Sequence, residues 1–583
     1  MNRTAVVVLV LFAILGGLAA GTAISDDPIE QAPAINDTTT TDTAKSQTAA
    51  ASQQYTVVAV NESSINKTQL ARYGTVGTQA GAKIELTMQS ANVTAVEDIT
   101  WVRNVHRAIQ SRAADIPGSS NGSSLGVEEL HQKGTTGAGV EVGIIDSGFD
   151  ADNQQIAPNV VDTASFRDTA GDQAHGTSVA EIVTRTAPES QLYLVSTATG
   201  TDVEAAIDYL TDQDVDIIVF AAGFPAVEDT GDHYLTDDIT AARDNGTLFV
   251  NSAGNEAQTH WEGRFRNTDG DRFHEWASDG DEVNSIPGPA RTHSGTIGVY
   301  IRWSDTGGES TYRPAFYDPE AEEYIRIDRD GVFNTGSNKY TELSVRVNDR
   351  PVGLVIENSR GPADDDIEIA FRTGPQSIEH NIPESSVLVP ADVPETMSVA
   401  AYEVGPQRIA PYSSQGPTDD GRQAIDVTGY TNIHVTNGLY QRDRFVFSGT
   451  SASAPYVGGV AALVEQRTAG DASPDDVEAV LETSSDDILA PGADTVSGTG
   501  VVNATAAVET ATPNVTVTEL SVSPNTVTTN TTVNHHLEYT VTGASNDSDP
   551  DTHTVTLPPN AGFDNTGTSL AVTDADGTEI QLE

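Results

Sequence analysis

The sequence predicts an α/β fold with a doubly wound, mostly parallel sheet, and three observations lead there. Residues 140–145 (Val-Glu-Val-Gly-Ile-Ile) form a nearly continuous apolar run, as expected of a strand buried on both faces. Strand-like runs at 192–196, 216–222 and 247–252 alternate with helical patterns at 178–186, 202–210 and 235–245. That alternation argues parallel strands joined by crossover helices. The pattern then changes over residues 261–383. Short strands at 295–303, 324–328, 341–347, 352–358 and 367–372 follow one another between Gly, Pro, Asp and Asn clusters, with no helix among them. This reads as an antiparallel β unit inserted in an α/β domain that spans 125–508.

The flanking segments are simpler. Residues 1–24 have the build of an export signal: Arg3 as a minimal positive flank, an apolar run over 5–20, and small residues Gly21-Thr22-Ala23. The absence of a twin arginine favours a Sec-type route. The same stretch is just long enough to span a bilayer, so an uncleaved anchor is the second reading. Both place the bulk of the chain outside the cell, secreted or at the cell surface. Residues 25–54 are rich in Asp, Thr, Ala and Gln without apolar period and read as a linker. Residues 55–114 read as a small α+β module, with strands at 55–60 and 83–87 and helical spacing over 93–109. Residues 115–124, with Pro117, Gly118 and Gly122, read as a loop open to processing. Residues 513–583 are Thr-, Val-, Asn- and Asp-rich with β alternation, a C-terminal β module.

Composition limits the function classes. The 583 residues carry 85 Asp+Glu against 30 Lys+Arg, a net charge of −55, and no Cys. A nucleic-acid binder held by a general basic surface is excluded, because phosphate would be repelled. So are a disulfide scaffold and thiolate metal sites. High charge with few aromatics also fits disorder, but the periodic aliphatic runs argue against it. Only five of the basic residues are lysine. Such a surface suits strong salt, where the Debye length shrinks to about 3 Å near 1 M and self-repulsion becomes tolerable.

Four segments carry chemistry. Asp146-Ser147-Gly148 follows an apolar strand; His175-Gly176-Thr177-Ser178-Val179-Ala180 opens a helix. Asn251-Ser252-Ala253-Gly254-Asn255 ends another strand; Ser448-Gly449-Thr450-Ser451-Ala452-Ser453-Ala454-Pro455 enters a long apolar helix. In an open parallel sheet, ligands sit outside the carboxyl ends of the strands, where all four belong. A serine hydroxyl is a weak nucleophile and needs an adjacent base. Histidine suits that role near neutral pH, and a buried carboxylate fixes its tautomer. A developing oxyanion needs preorganised donors. A helix start supplies free N–H groups, and the Asn255 amide adds a side-chain donor.

These segments resemble the three signatures of the subtilisin-like serine proteases, the subtilases, in the order Asp, His, Ser. The resemblance implies a sheet of subtilisin type. It implies Asp146 as orienting carboxylate, His175 as general base then acid, Ser451 as nucleophile and Asn255 in the oxyanion hole. The substrate strand, usually Ser-Leu-Gly in the family, is Ala221-Ala222-Gly223 here. Backbone pairing with an extended peptide needs no side chains there. By the same resemblance Ala253-Gly254 forms one wall of the primary pocket. The long span between Asn255 and Ser451 resembles chains of haloarchaeal type with a β insert after the Asn segment. Pro390-Ala391-Asp392, Val399-Ala400-Ala401 and Ser413-Ser414-Gln415-Gly416-Pro417 resemble the family's return to its core. Residues 55–114 have the position and size of a subtilase propeptide, which helps the protease fold and blocks its cleft. A permanent N-terminal domain is the alternative.

No cofactor is expected to be required. The span from His175 to Ala187-Pro188 leaves no room for the calcium loop of many bacterial members. Asn267-Thr268-Asp269-Gly270-Asp271 is an oxygen-rich candidate for Ca2+, though its Gly is misplaced for an EF-hand. The expectation is an exported, salt-adapted serine endopeptidase. Its partners are protein or peptide substrates and its own propeptide as inhibitor, with no nucleic acid and with cell-surface association as a further expectation. The competing class is a non-catalytic adhesion protein on an inactive protease fold.

Overall fold

The structure, a computed structural model, describes residues 52–113, 125–167, 171–225, 227–278, 280–286, 292–304, 310–325, 328–329, 333–335, 338–373, 377–436, 445–470, 472–511 and, in the tail, 516–523, 536–542, 572–573 and 579–580. The export signal, most of the linker and the processing loop lie outside them.

The leader module contains β1 (Gln53–Ala59), α1 (Lys67–Leu70), β2 (Gly74–Ala80), β3 (Lys83–Met88), α2 (Val93–Glu97) and β4 (Val102–Arg107). Its antiparallel sheet has the order β2-β3-β1-β4. Tyr55, Val57, Ile84, Leu86, Val96 and Val105 form its core. The single helix expected over 93–109 is therefore wrong. Val93, Val96, Ile99, Val102 and Val105 recur every third residue, which mimics one helical face. The chain turns after α2 instead, and Val105 pairs with Val57 across β4 and β1. Sheet pairing here outweighs local periodicity.

A short strand β5 (Arg112–Ala113) follows, and then the α/β domain: α3 (Glu128–Gln132), β6 (Glu141–Asp146), β7 (Val160–Ser165), α4 (Gln173–Thr186), β8 (Gln191–Ser196), α5 (Gly200–Asp212), β9 (Ile217–Phe220), β10 (Ala222–Gly223), α6 (Thr236–Asp244) and β11 (Leu248–Ser252). The β insert supplies β12 (Trp261–Arg264), β13 (Asn284–Ser285), β14 (His293–Ser304), β15 (Thr311–Asp318), β16 (Glu323–Tyr324), β17 (Asp328–Arg329), β18 (Phe333–Thr335), β19 (Asn338–Arg350), β20 (Gly353–Arg360) and β21 (Asp366–Thr373). The α/β domain resumes with β22 (Thr396–Glu403), β23 (Arg408–Ile409), β24 (Val427–Tyr430), β25 (Ile433–Val435), β26 (Phe445–Phe447), α7 (Thr450–Arg467), α8 (Pro474–Thr483) and α9 (Ala504–Thr510). The tail holds the hairpin β27 (Thr516–Ser523) and β28 (His536–Thr542), then β29 (Val572–Thr573) and β30 (Glu579–Ile580).

The central sheet runs β23-β22-β11-β9-β6-β8-β7, with β24 beside β22. All its pairings are parallel except β22 with β23. The chain starts in the middle at β6, fills one side with β7 and β8, then crosses to β9, β11 and β22. That reversal puts the carboxyl end of β6 at a topological switch point. Helices cover both faces: α4 and α7 share one apolar cluster with Ile144 and Val219, α5 and α6 another with Ile145 and Phe220. Residues 450–465 of α7 are all buried. Gly458 and Gly459 let α7 lie close, since a Cβ there would meet Val219 and Thr186, each at 2.5 Å.

The run expected as one strand at 216–222 is two. β9 stays in the central sheet, while β10 leaves it and pairs antiparallel with β5. The insert is a two-layer sandwich. A six-stranded sheet (β12-β21-β14-β19-β17, with β18 on β19) packs on a four-stranded one (β13-β20-β15-β16). Trp303, Phe316, Leu354 and Phe371 lie in the core between them. Arg302 ties the insert to the α/β domain, pairing with Glu368 of the insert, Asp419 at 3.0 Å and Glu228 at 3.5 Å. Burial, then the Asp419 and Glu368 charges, hold Asp229 well above the ordinary carboxylate range.

Candidate active site

Each chemical segment is placed by a local feature of the sequence. Asp146 is the last residue of β6 and is 1% exposed. Asp172 caps α4 by accepting the Ala174 N–H at 2.9 Å, so the helix begins five residues before the sequence pattern suggests and carries His175 in its first turn. Gly176 permits the close approach, because a Cβ there would lie 2.3 Å from the Gly148 carbonyl and 3.0 Å from Asp146 Cβ. As a result His175 Nδ1 sits 2.9 and 2.8 Å from the two Asp146 carboxylate oxygens. Asp146 Oδ1 also accepts the Ser147 N–H at 2.6 Å and its hydroxyl at 3.1 Å. With Nδ1–H donating to the carboxylate, Nε2 is left as the basic nitrogen. The imidazole packs edge-on against Phe447, ring centroids 5.1 Å apart.

Ser451 stands at the second position of α7 and is fully buried. Gly449 caps the helix with φ 108, in the left-handed region that glycine tolerates best. The Thr431 hydroxyl holds that glycine, accepting its N–H at 3.0 Å and donating to its carbonyl at 3.1 Å. Tyr412 Oη accepts the same N–H at 3.2 Å, and burial pushes this phenol up to about 12. The Ser451 hydroxyl donates to the Ala221 carbonyl at 2.8 Å. Its backbone N–H belongs to the first turn, which has no intrahelical acceptor.

Asn255 lies beside that helix start. Its Oδ1 accepts the Thr450 N–H at 3.0 Å and the Thr450 hydroxyl at 3.2 Å. Because a backbone N–H must meet an oxygen, this fixes the amide orientation and turns its NH2 to the opposite side. The Thr450 hydroxyl in turn accepts the Gly254 N–H at 3.2 Å, so Gly254, Asn255 and α7 form one bonded unit.

The candidate substrate strand is paired. Ala222 lies opposite Ala113 and Gly223 opposite Arg112. The leader is anchored beyond this by Ser111 N–H to Ala198 O at 3.0 Å, Gly200 N–H to Ile109 O at 3.1 Å and Lys83 to Glu204 at 2.6 Å. Arg107 reaches Glu342 of the insert at 3.4 Å.

The structure thus brings Asp146, His175, Ala221, Ala222, Gly223, Ala253, Gly254, Asn255 and Ser451 to one end of the sheet. Thr431 and Tyr412 were missed by sequence reasoning; an isolated Thr and Tyr in loop sequence give no signal. In the candidate calcium loop, Asp269 and Asp271 join Glu282, with oxygens within 4.8 Å of one another. Three carboxylates are a donor set suited to a hard cation. The loop's amides already satisfy part of it, since Gly270 N–H bonds Asn267 and Phe273 N–H bonds Asp271.

A doubly wound sheet with a paired His and carboxylate at its switch point, and a serine at a buried helix start, defines a class of α/β folds with the site at the carboxyl ends of the strands. The model of the Subtilase family matches residues 137–297 and 379–555. The chain belongs to that family and is a subtilisin-like serine peptidase. The gap in the match falls within the β insert. No curated protein sequence matches. Among solved structures, the chain is similar to the CspB protease of Clostridium perfringens, with 15% identity over 66% of this chain and 96% of that one, TM-score 0.48. It is also similar to fervidolysin from Fervidobacterium pennivorans, a keratinolytic enzyme related to subtilisin, with 14% identity over 84% of this chain and 68% of that one, TM-score 0.43.

Proposed function

We propose that the protein is an exported serine endopeptidase that works in strong salt and cleaves peptide bonds through an acyl-enzyme. Ser451 Oγ attacks the scissile carbonyl while His175 Nε2 takes its proton. Asp146 holds the ring tautomer and stabilises the imidazolium. The oxyanion receives the Ser451 N–H and the Asn255 NH2. His175 then protonates the leaving amine, and water repeats the sequence to release the acyl group. The observation that carries this reading is the two-oxygen contact of Asp146 with His175 Nδ1, 2.8 and 2.9 Å, in a site that also gathers Ser451 and Asn255.

In the same reading residues 55–114 are an inhibitory propeptide. Support comes from β5, which occupies the edge of β10 that a substrate backbone needs. Export rests on the character of residues 1–24, and salt adaptation on the net charge of −55. No step runs through a metal ion. The test is casein hydrolysis by the processed full-length protein in multimolar NaCl. The reading predicts activity that disappears in Ser451→Ala. Folded, processed wild-type protein without hydrolysis would contradict it.

A further inference from the structure

Two glycines of the site face one side chain. A Cβ on Gly223 would lie 2.6 Å from Leu388 Cβ, and a Cβ on Gly254 would lie 2.7 Å from Leu388 Cγ. Leu388 is 4% exposed, and its backbone is locked between the same two segments. Its N–H donates to the Ala253 carbonyl at 2.9 Å, and the next carbonyl, Val389, accepts the Phe224 N–H at 2.7 Å. The space that Gly223 and Gly254 leave between their segments is therefore filled by an isobutyl group.

The register of β5 on β10 says which substrate residue meets that group. Arg112 lies opposite Gly223 and Ala113 opposite Ala222. The next residue of a chain in this register falls opposite Ala221, whose carbonyl is 2.8 Å from Ser451 Oγ. That residue donates the scissile carbonyl, and its side chain enters the space beside Gly223 and Gly254. Leu388 also lines a small cleft together with Phe224, Pro225, Glu256, His260, Glu368 and Ser385.

We propose that Leu388 is a specificity-determining residue that closes the primary pocket and restricts the acyl-side residue of the substrate to Ala or Gly. The inference rests on the serine peptidase reading. A larger side chain must displace a buried leucine held on both sides, and close-packed interiors resist such overpacking.

The test uses processed full-length protein in strong salt and a set of tetrapeptide amides that differ only at the acyl-side residue: Gly, Ala, Leu, Phe. Wild type should cleave the Ala peptide at least about 100-fold faster in kcat/KM than the Phe peptide. Leu388→Gly and Leu388→Ala should raise the Leu-to-Ala and Phe-to-Ala ratios of kcat/KM at least about 10-fold. Labelling of Ser451 by a fluorophosphonate, which carries no peptide, is measured in parallel. A labelled wild type that cleaves Phe as fast as Ala overturns the role of Leu388 and leaves the peptidase reading intact. So does a folded, labelled Leu388 variant with an unchanged preference. Should a variant fail to fold, the wild-type profile decides alone. An unlabelled wild type that cleaves none of the peptides overturns both readings.

Discussion

Replacing Asp146 by Asn changes one atom and tests the hydrogen-bond logic of the site. In the native site Asp146 Oδ1 accepts the Ser147 N–H at 2.6 Å, and both carboxylate oxygens face His175 Nδ1 at 2.8–2.9 Å. In Asp146→Asn the backbone N–H of Ser147 still demands an oxygen. The side-chain oxygen therefore stays where Oδ1 is, and the new NH2 replaces Oδ2. That NH2 points its hydrogens at Nδ1, so the ring answers by moving its proton to Nε2. His175 Nε2 then cannot accept the serine proton. A wrong-tautomer triad costs about 10⁴ in kcat, close to 5 kcal/mol of activation free energy. The assay is peptide hydrolysis at saturating substrate, alongside thermal unfolding to show that the fold persists. A kcat within about 10-fold of wild type, in a variant with unchanged melting, refutes the reasoning.

Further outcomes follow from the same structure. Asn255→Ala should lower kcat by about 10²–10³ with KM little changed, because one preorganised oxyanion donor is lost; an equal effect on KM alone would point to ground-state binding instead. Glu465 is raised to about 8, chiefly by burial and then by Asp216 and Asp476. The folded state therefore holds its proton more tightly than the unfolded one, and stability falls as pH rises from the ordinary carboxylate range through about 8. Glu465→Gln should thus be more stable to unfolding than wild type at alkaline pH, by roughly 2–4 kcal/mol, with the gap closing in acid; a gap independent of pH contradicts this. The melting temperature of wild type should climb as NaCl rises from about 0.1 M to about 3 M, since screening relieves the −55 charge; a flat curve removes the salt-adaptation reading. Lys83→Ala with Arg107→Ala should speed leader release after processing by about 10-fold, because partly buried ion pairs to Glu204 and Glu342 are lost; co-purification of leader and peptidase over time reads this out.

What could be read in the sequence was whatever depends on local pattern. The apolar run at 140–145 gave β6 to within a residue, and Asp146 falls at its end. The small residues around Ser451 announced α7, because a helix that packs this closely needs them. Long-range contacts decided the rest. Nothing local separates a helical stripe at 93–105 from α2 followed by β4; the partner strand β1 decides it. β7 was missed because Val160–Ser165 is half polar and mostly exposed at the sheet edge. β15, Thr311–Asp318, carries Pro314 and charged residues that disguise its buried face. Within the site, the motif residues were visible as types in sequence. The clamp of Thr431 and Tyr412 on Gly449 was not, since it joins three distant loops. Leu388 was hidden for the same reason: its significance lies in standing against Gly223 and Gly254, 165 and 134 positions away in the chain.

The central claim is that Ser451 is a nucleophile activated by His175. Its most direct measurement is fluorophosphonate modification of the processed protein in multimolar NaCl, with the adduct located by mass spectrometry of the digested chain. The account predicts one adduct, on Ser451, absent in Ser451→Ala and slowed by orders of magnitude in His175→Ala. An adduct on another serine, or labelling of Ser451 at an unchanged rate without His175, would contradict it.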